Sequence, residues 1–124
     1  MYKRQEQAGV ADRIQVHVGD ALEVLSERKE EFDIVFNDVD KHDYPRVFNM
    51  AAARVRKGGL FITDNALWSG DVAYAAGNPD LANSAEPDKY AKGVVEFNRL
   101  LYSSKDWFTT IVPLRDGLAV ALRV

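Results

Sequence analysis

The stretch FDIVFNDVDK, residues 32–41, decides the fold, because an apolar run of strand length stops on two carboxylates and a lysine. Such a run predicts a buried strand that delivers charged side chains to the edge of a sheet. Further along the chain, GLFITDN, residues 59–65, repeats the pattern and ends on Asp64 and Asn65. Two strands therefore aim oxygen-bearing side chains at one place, which makes it a candidate metal site.

The composition predicts one soluble domain. The chain has 124 residues, of which 47% are hydrophobic and 28% are charged, and this suits a single core of modest size. A formal net charge of −3 argues against nucleic acid as a partner. The chain has no cysteine, no apolar stretch of the roughly 20 residues that a membrane span needs, and no signal-peptide core at its start. We therefore expect a cytoplasmic protein without membrane contact.

The order of the predicted elements is that of an α/β domain whose first three strands are parallel. Ligands bind at the carboxyl edge of such sheets, where Asp20, Asp38 and Asp64 all fall. Periodicity and turn residues predict, in order, a helix end at 2–8, a strand at Ile14–Val18, a helix at 21–28, a strand at 33–38, a helix from Asp43 to Lys57-Gly58-Gly59, a strand at 59–64, a loop at 68–87, a helix at 88–103, and a hairpin of 107–114 and 118–124.

The side chains at this edge have two interpretations each. Asp38, Asp64 and Asn65 offer only oxygen atoms, which suits Mg²⁺, Ca²⁺ or Mn²⁺ better than zinc. Alternatively, the carboxylates cap loops or helices and Asn65 makes a local turn bond. Lys41 is either a solvated surface charge or a base, since a divalent cation nearby disfavours an ammonium group. Trp68 either covers a ligand or packs in the core.

Four short motifs occur in an order that resembles one known family. They are Gly19-Asp20-Ala21, Asp38-Val39-Asp40-Lys41 with Tyr44, Asp64-Asn65-Ala66-Leu67-Trp68-Ser69-Gly70, and Phe97-Asn98. Together they resemble the cation-dependent, S-adenosylmethionine (SAM)-dependent O-methyltransferases, the group that includes catechol and caffeoyl-coenzyme A O-methyltransferases. The resemblance covers essentially the whole chain and implies a Rossmann-like class I methyltransferase fold.

The resemblance implies a divalent cation, Mg²⁺ first, held by Asp38, Asp64 and Asn65. It also implies that Lys41 is the catalytic base for a substrate hydroxyl. The reaction would be a direct displacement, in which a hydroxyl of a vicinal diol loses its proton and its oxygen attacks the sulfonium methyl group. The substrate would be a phenolic or catechol-like small molecule, bound by Asp38, Asn65 and Trp68.

The cofactor would be SAM, and the resemblance implies that Gly19, Asp20, Ala21 and Asp38 contact it. The family's first two strands, which carry an acidic-glycine segment and a ribose-binding acid, should precede Met1 and are not in this sequence. We therefore expect residues 1–124 to form a single truncated methyltransferase-like domain with weak or no activity. Its sheet would be partial, with three parallel strands plus a C-terminal β-hairpin.

Removal of two central strands would leave a gap between Ile14–Val18 and the strand at 33–38. Either these two strands pair directly, or another chain covers the exposed edges, and we favour a homo-oligomer. The alternative function is a non-catalytic α/β binding or assembly module that keeps the acids without using them. A phosphoacceptor receiver domain fits less well, because Lys41 is misplaced for one.

Overall fold

The computed structural model describes residues 3–72 and 89–124. Within these ranges, no helix is both long enough and apolar enough to cross a membrane. Short 3₁₀ turns occur at Ala11–Arg13, Lys41–Asp43, Ala52–Arg54 and Trp68–Gly70. The helices and strands are α1 (Lys3–Gln7), α2 (Ala21–Glu27), β1 (Phe32–Asn37), α3 (Tyr44–Ala51), β2 (Val55–Thr63), α4 (Lys89–Ser103), β3 (Trp107–Val112) and β4 (Leu118–Arg123).

A mixed four-stranded sheet organises the chain, and the predicted α/β class is confirmed. Its strand order is β1-β2-β4-β3. β1 and β2 are parallel, whereas β4 is antiparallel to both β2 and β3. The second strand of the hairpin, β4, therefore pairs with β2, and β3 forms the outer edge. Because β1 and β2 are parallel, their carboxyl ends lie side by side.

The core is an aromatic cluster between the sheet and two helices. Phe48 of α3 and Phe97 of α4 meet Phe61 of β2 and Trp107 of β3, with ring centroids 6.0 to 6.3 Å apart. Tyr44 extends the cluster, because its ring lies edge-on to Phe97 at 5.4 Å. Edge-to-face packing at these distances adds to the stabilisation from burial alone. The cluster holds α3 and α4 against the sheet.

The prediction of a first strand at Ile14–Val18 is wrong. The segment pairs with no strand in the described part of the chain, and Val18 is 91% exposed. Alternating apolar and polar residues report which way side chains point in an extended chain, but a strand also needs a neighbour to bond with. Of the three predicted parallel strands, two are therefore present, and direct pairing of 14–18 with β1 does not occur.

The predicted boundary between this helix, α3, and the following strand, β2, is also wrong. The helix ends at Ala51 and a 3₁₀ turn follows, so that Lys57-Gly58-Gly59 lies inside β2 and does not end a helix. Val55, predicted on the helix face, is fully buried at the start of the strand. The ladder shifts register between Phe32 and Ile34, and a Cβ on Gly59 would lie 2.8 Å from the carbonyl oxygen of Asp33. The strand irregularity therefore requires glycine.

The other predicted elements are confirmed within a few residues, including α1, α2, α4 and the hairpin. The loop predicted for 68–87 begins with the 3₁₀ turn Trp68–Gly70. The part of that prediction after residue 72 lies outside the described residues.

Phe61→Ala is expected to lower the free energy of unfolding by about 3–5 kcal/mol, because the ring is fully buried among three other aromatic rings. Urea unfolding followed by circular dichroism measures the loss. Phe108→Ala is the matched control, since Phe108 lies on the neighbouring hairpin but is 70% exposed, and we expect a loss below about 1 kcal/mol. Equal losses for the two variants would contradict the assignment of the core.

Candidate functional site

The parallel pairing of β1 and β2 brings Asp38 and Asp64 to one edge of the sheet. Asn37 and Thr63 are partners in the ladder, and each is followed directly by one of the two acids. The backbone N–H of Asp64 also donates to the carbonyl of Asn37 at 3.1 Å, which extends the ladder past the last paired residues. The structure thus brings together the two carboxylates that the sequence placed at this edge.

Lys41 lies in the same place and not in open solvent. Its Nζ donates to Asp38 Oδ1 at 2.9 Å and to the Val39 carbonyl at 3.4 Å. Only 14% of the side chain is exposed. The Nζ also lies 5.5 Å from the ring centroid of Tyr44 and 5.8 Å from that of Trp68, which are cation–π distances. Lys41 therefore sits between a carboxylate and two aromatic rings.

Gly93 of α4 allows the helix to approach the backbone that carries Lys41. A Cβ at this position would lie 2.8 Å from the Cα of His42 and closer still to the carbonyl oxygen of Lys41. No other residue fits without moving the helix or the turn. A glycine inside a helix costs about 1 kcal/mol relative to alanine, so the close approach is obtained at the expense of helix stability.

The loop after β2 carries Asp64, Asn65 and Trp68, and two helices support it. The hydroxyl of Tyr44 donates to the Asp64 carbonyl at 2.9 Å, and Asn98 Nδ2 donates to the Ala66 carbonyl at the same distance. Tyr44 and Asn98 belonged to the motifs in the sequence, but we predicted no role for either. Their hydrogen bonds show that they hold the loop in place.

Asp116 is a site residue that the sequence analysis missed. It lies in the turn between β3 and β4, where the Asp-Gly pair was interpreted only as a hairpin signal. Its carboxylate accepts hydrogen bonds from Asn65 Nδ2 at 3.1 Å and from the Ser69 backbone N–H. No local sequence signal reveals this contact, because the turn and the loop are far apart along the chain.

Negative charge accumulates around Tyr44. Burial raises the pKa of the Tyr44 phenol above its usual range, and the carboxylates of Asp38, Asp64 and Asp116 raise it further. Three acids from three separate elements thus act on one ring. Lys41 Nζ, 5.5 Å from the ring centroid, offsets part of this negative charge, and the remainder favours a bound cation.

The predicted ligands offer the kind of donor atom that a divalent cation binds. Among the described residues, no three histidine, aspartate, glutamate or cysteine side chains form a group that could hold a metal ion. The proposed set instead combines the carboxylates of Asp38 and Asp64 with the carboxamide of Asn65. All three residues offer oxygen, which is the ligand type of Mg²⁺ and Ca²⁺. Asp64 and Asn65 also line an open cavity of about 700 Å³ beside the hairpin turn.

Of the four residues predicted to contact the cofactor, two line a second cavity. Gly19 and Ala21 line a cavity of about 670 Å³ between α2 and β1, together with Asn37 and Val39. The Asp20 side chain caps α2, because its Oδ1 accepts from the backbone N–H groups of Leu22 and Glu23 at 2.7 and 3.1 Å. Neither Asp20 nor Asp38 is among the residues that line this cavity.

Comparison with known proteins decides the family. A sequence profile of the O-methyltransferase family matches residues 2–124. The chain belongs to this family. It is 32% identical over 124 residues to caffeoyl-CoA O-methyltransferase 1 of Eucalyptus globulus, a match that covers 96% of this chain and 49% of that protein. It is 30% identical over 129 residues to the catechol O-methyltransferase of Niastella koreensis. That match covers 97% of this chain and 54% of that protein.

Solved structures of O-methyltransferases show the same fold. The O-methyltransferase TomG from Streptomyces achromogenes, solved in complex with SAM, superposes with a TM-score of 0.82 at 30% identity. An O-methyltransferase from Bacillus cereus in complex with SAH superposes with a TM-score of 0.81 at 27% identity. These matches cover 99% and 98% of this chain but 55% and 56% of those chains. This O-methyltransferase family member therefore spans about half the length of the relatives it matches.

Tyr44→Phe is expected to lower the free energy of unfolding by about 1–2 kcal/mol at neutral pH, because the partly buried Asp64 carbonyl loses its donor. A second effect appears in alkali. An unfolded tyrosine ionises near pH 10, whereas the raised pKa keeps Tyr44 neutral in the folded chain. Native stability should therefore fall from about pH 10 upward, and the phenylalanine variant should lack this part of the fall.

Urea unfolding at pH 8 and pH 10.5 measures both effects. Tyr102→Phe is the control, since Tyr102 lies on α4 with 57% of its surface exposed. If the two tyrosine variants have the same stability at both pH values, Tyr44 does not support the loop.

Proposed function

We propose that this chain forms the cation-binding and hydroxyl-activating part of a SAM-dependent O-methyltransferase that acts on a catechol-like small molecule. The observation that carries the proposal is the convergence of Asp38, Lys41, Asp64 and Asn65 at the carboxyl edge of β1 and β2. Family membership and the caffeoyl-CoA and catechol relatives support the reaction and the class of substrate.

Asp38, Asp64 and Asn65 would hold the divalent cation, for which Mg²⁺ is the best fit. When bound, the cation lowers the pKa of a nearby substrate hydroxyl and fixes its position. The half-buried carboxylate of Asp64 also accepts the Asn65 backbone N–H at 2.7 Å, so the loop that carries both side chains is already folded around the site. Little reorganisation would accompany binding, which favours affinity.

Lys41 would take the hydroxyl proton on Nζ, and for this it must be neutral. Its position supports the role, because Nζ lies at the sheet edge with only 14% of the side chain exposed and 5.8 Å from the Trp68 ring centroid. In this structure Nζ donates to Asp38 Oδ1 at 2.9 Å. Asp38 is therefore shared between two proposed tasks, and its engagement as a cation ligand would weaken its hold on the lysine.

Trp68 would form one wall of the substrate pocket. Its ring lies 5.9 Å from that of Tyr90 of α4, tilted by 41°, and its centroid lies 5.8 Å from Lys41 Nζ. A flat aromatic surface next to the base suits a phenolic ring, whose hydroxyl would then point toward Nζ.

SAM would supply the methyl group that the deprotonated hydroxyl oxygen attacks. The SAM-bound and SAH-bound relatives support this cofactor. In this chain the cavity lined by Gly19 and Ala21 is the proposed place for it, whereas the Asp20 carboxylate already caps α2. Weak or no activity of the isolated 124 residues remains our expectation, and a cytoplasmic location stays a prediction from composition.

Mg²⁺ titration by calorimetry tests the cation site. We expect wild-type binding that Asp64→Asn weakens by about tenfold or more, because the substitution removes a charged ligand and keeps the size of the side chain. Asp40→Asn is the matched control, since Asp40 is an exposed acid beside the site with no proposed role, and should bind as wild type. Absence of wild-type binding at millimolar Mg²⁺ would support the alternative, a non-catalytic α/β module.

We also propose a homo-oligomer formed through the outer edge of β1. That edge has no partner strand among the described residues, and Ile34 and Phe36 on it are 57% and 60% exposed. Unpaired edges with apolar side chains favour strand addition by another chain.

Sedimentation velocity across a concentration series should show association of the wild type. Ile34→Lys should reduce it, because a charge on an edge strand opposes pairing. Tyr102→Lys is the control, since it places the same charge at an exposed aromatic position on α4, a helix and not an edge strand. A monomer at all concentrations would contradict the proposal.

A further inference from the structure

We propose that Asp116 is a positioning residue that decides which end of the Asn65 carboxamide faces the cation site. Asp116 lies in the turn between β3 and β4, whereas Asn65 lies in the loop after β2. The inference rests on the proposed function, in which the Asn65 oxygen is a cation ligand.

The chemistry of the contact between the two side chains fixes the orientation of the amide. Asn65 Nδ2 lies 3.1 Å from Asp116 Oδ2. A carboxylate can only accept hydrogen bonds, so the amide nitrogen must be the end that faces Asp116. The carbonyl oxygen, Oδ1, then points to the opposite side of the amide group. Only that oxygen is a ligand for Mg²⁺, whereas the NH₂ end would repel a cation.

Further hydrogen bonds hold the Asp116 carboxylate itself in place. Its second oxygen accepts the backbone N–H of Ser69, and its own carbonyl accepts the N–H of Leu67 at 2.9 Å. The next carbonyl, that of Gly117, accepts the N–H of Ala66 at 2.9 Å. The turn and the loop thus share a row of four contacts, and rotation of the carboxylate would break two of them.

The turn is also too close to the loop to be displaced easily. Gly117 adopts φ 83°, and a Cβ there would lie 3.1 Å from the backbone nitrogen of Leu67. Only glycine combines this left-handed conformation with this approach. Asp116 therefore reaches Asn65 from a fixed backbone and not from a flexible one.

The alternative is that Asp116 only stabilises the loop. The two roles predict different results for the single variant D116N and for the exchange N65D/D116N, which conserves the net charge. In D116N, the single side-chain oxygen keeps the Ser69 N–H, so the new NH₂ group faces Asn65, which would turn its own oxygen toward residue 116 and its NH₂ toward the cation. In N65D/D116N, the new amide donates to the new carboxylate, whose other oxygen faces the cation again.

Mg²⁺ calorimetry on the full chain distinguishes these roles. We expect D116N to weaken Mg²⁺ binding by about 10–100-fold, and N65D/D116N to restore it to within about threefold of wild type. D106N is the matched control, since Asp106 is an exposed acid just before β3, and should bind as wild type. A double variant that binds no better than D116N, while both remain folded by circular dichroism, would overturn the inference.

A second readout separates this inference from the proposed function. The side-chain NH₂ signals of Asn65 in ¹⁵N-edited NMR, recorded without Mg²⁺, should shift in D116N and stay in place in D106N. Failure of the wild type to bind Mg²⁺ would refute the proposed cation site, and unchanged Asn65 signals in D116N would refute the role of Asp116.

Discussion

The parallel register between β1 and β2 is the constraint on which the rest of the site depends. Because Asn37 pairs with Thr63, the residues after them leave the sheet at the same level and on adjacent strands. A slip of one residue would send Asp38 and Asp64 to opposite faces of the sheet. The aromatic core beneath β2 opposes such a slip, since it would carry Phe61 out of contact with Phe48 and Phe97.

Residues distant in sequence maintain the loop after β2 in an unfavourable conformation. Asn65, Trp68 and Ser69 have φ angles of 57°, 43° and 52°, and such angles cost roughly 1–2 kcal/mol per residue outside glycine. Hydrogen bonds that Tyr44 of α3 and Asn98 of α4 donate to the loop, and one that Asn65 donates to Asp116 in the hairpin turn, offset this cost. The proposed ligands are therefore arranged by tertiary structure, and the loop alone would not adopt this shape.

The sequence predicted those features that rest on local signals. The apolar runs ending at Asp38 and Asp64 became β1 and β2, and the Asp-Gly pair marked the hairpin turn. The prediction failed for Ile14–Val18, because alternation specifies side-chain direction and not the presence of a partner strand. Val55 was assigned to a helix because a single buried apolar residue fits both the 3.6-residue period of a helix and the two-residue period of a strand. Gly93 and Asp116 were missed because their roles depend on contacts with backbone far away in the chain.

The positions of the two tryptophans separate two optical signals. Trp107 lies in the core with only 8% of its surface exposed, so its emission reports whether the sheet and helices remain packed. Trp68 stands beside the Lys41 ammonium group, and a charge at that distance perturbs the excited state of an indole. Replacing one ring by phenylalanine would leave the other as an intrinsic fluorophore. Folding and events at the sheet edge are thus observable in the same chain without a label.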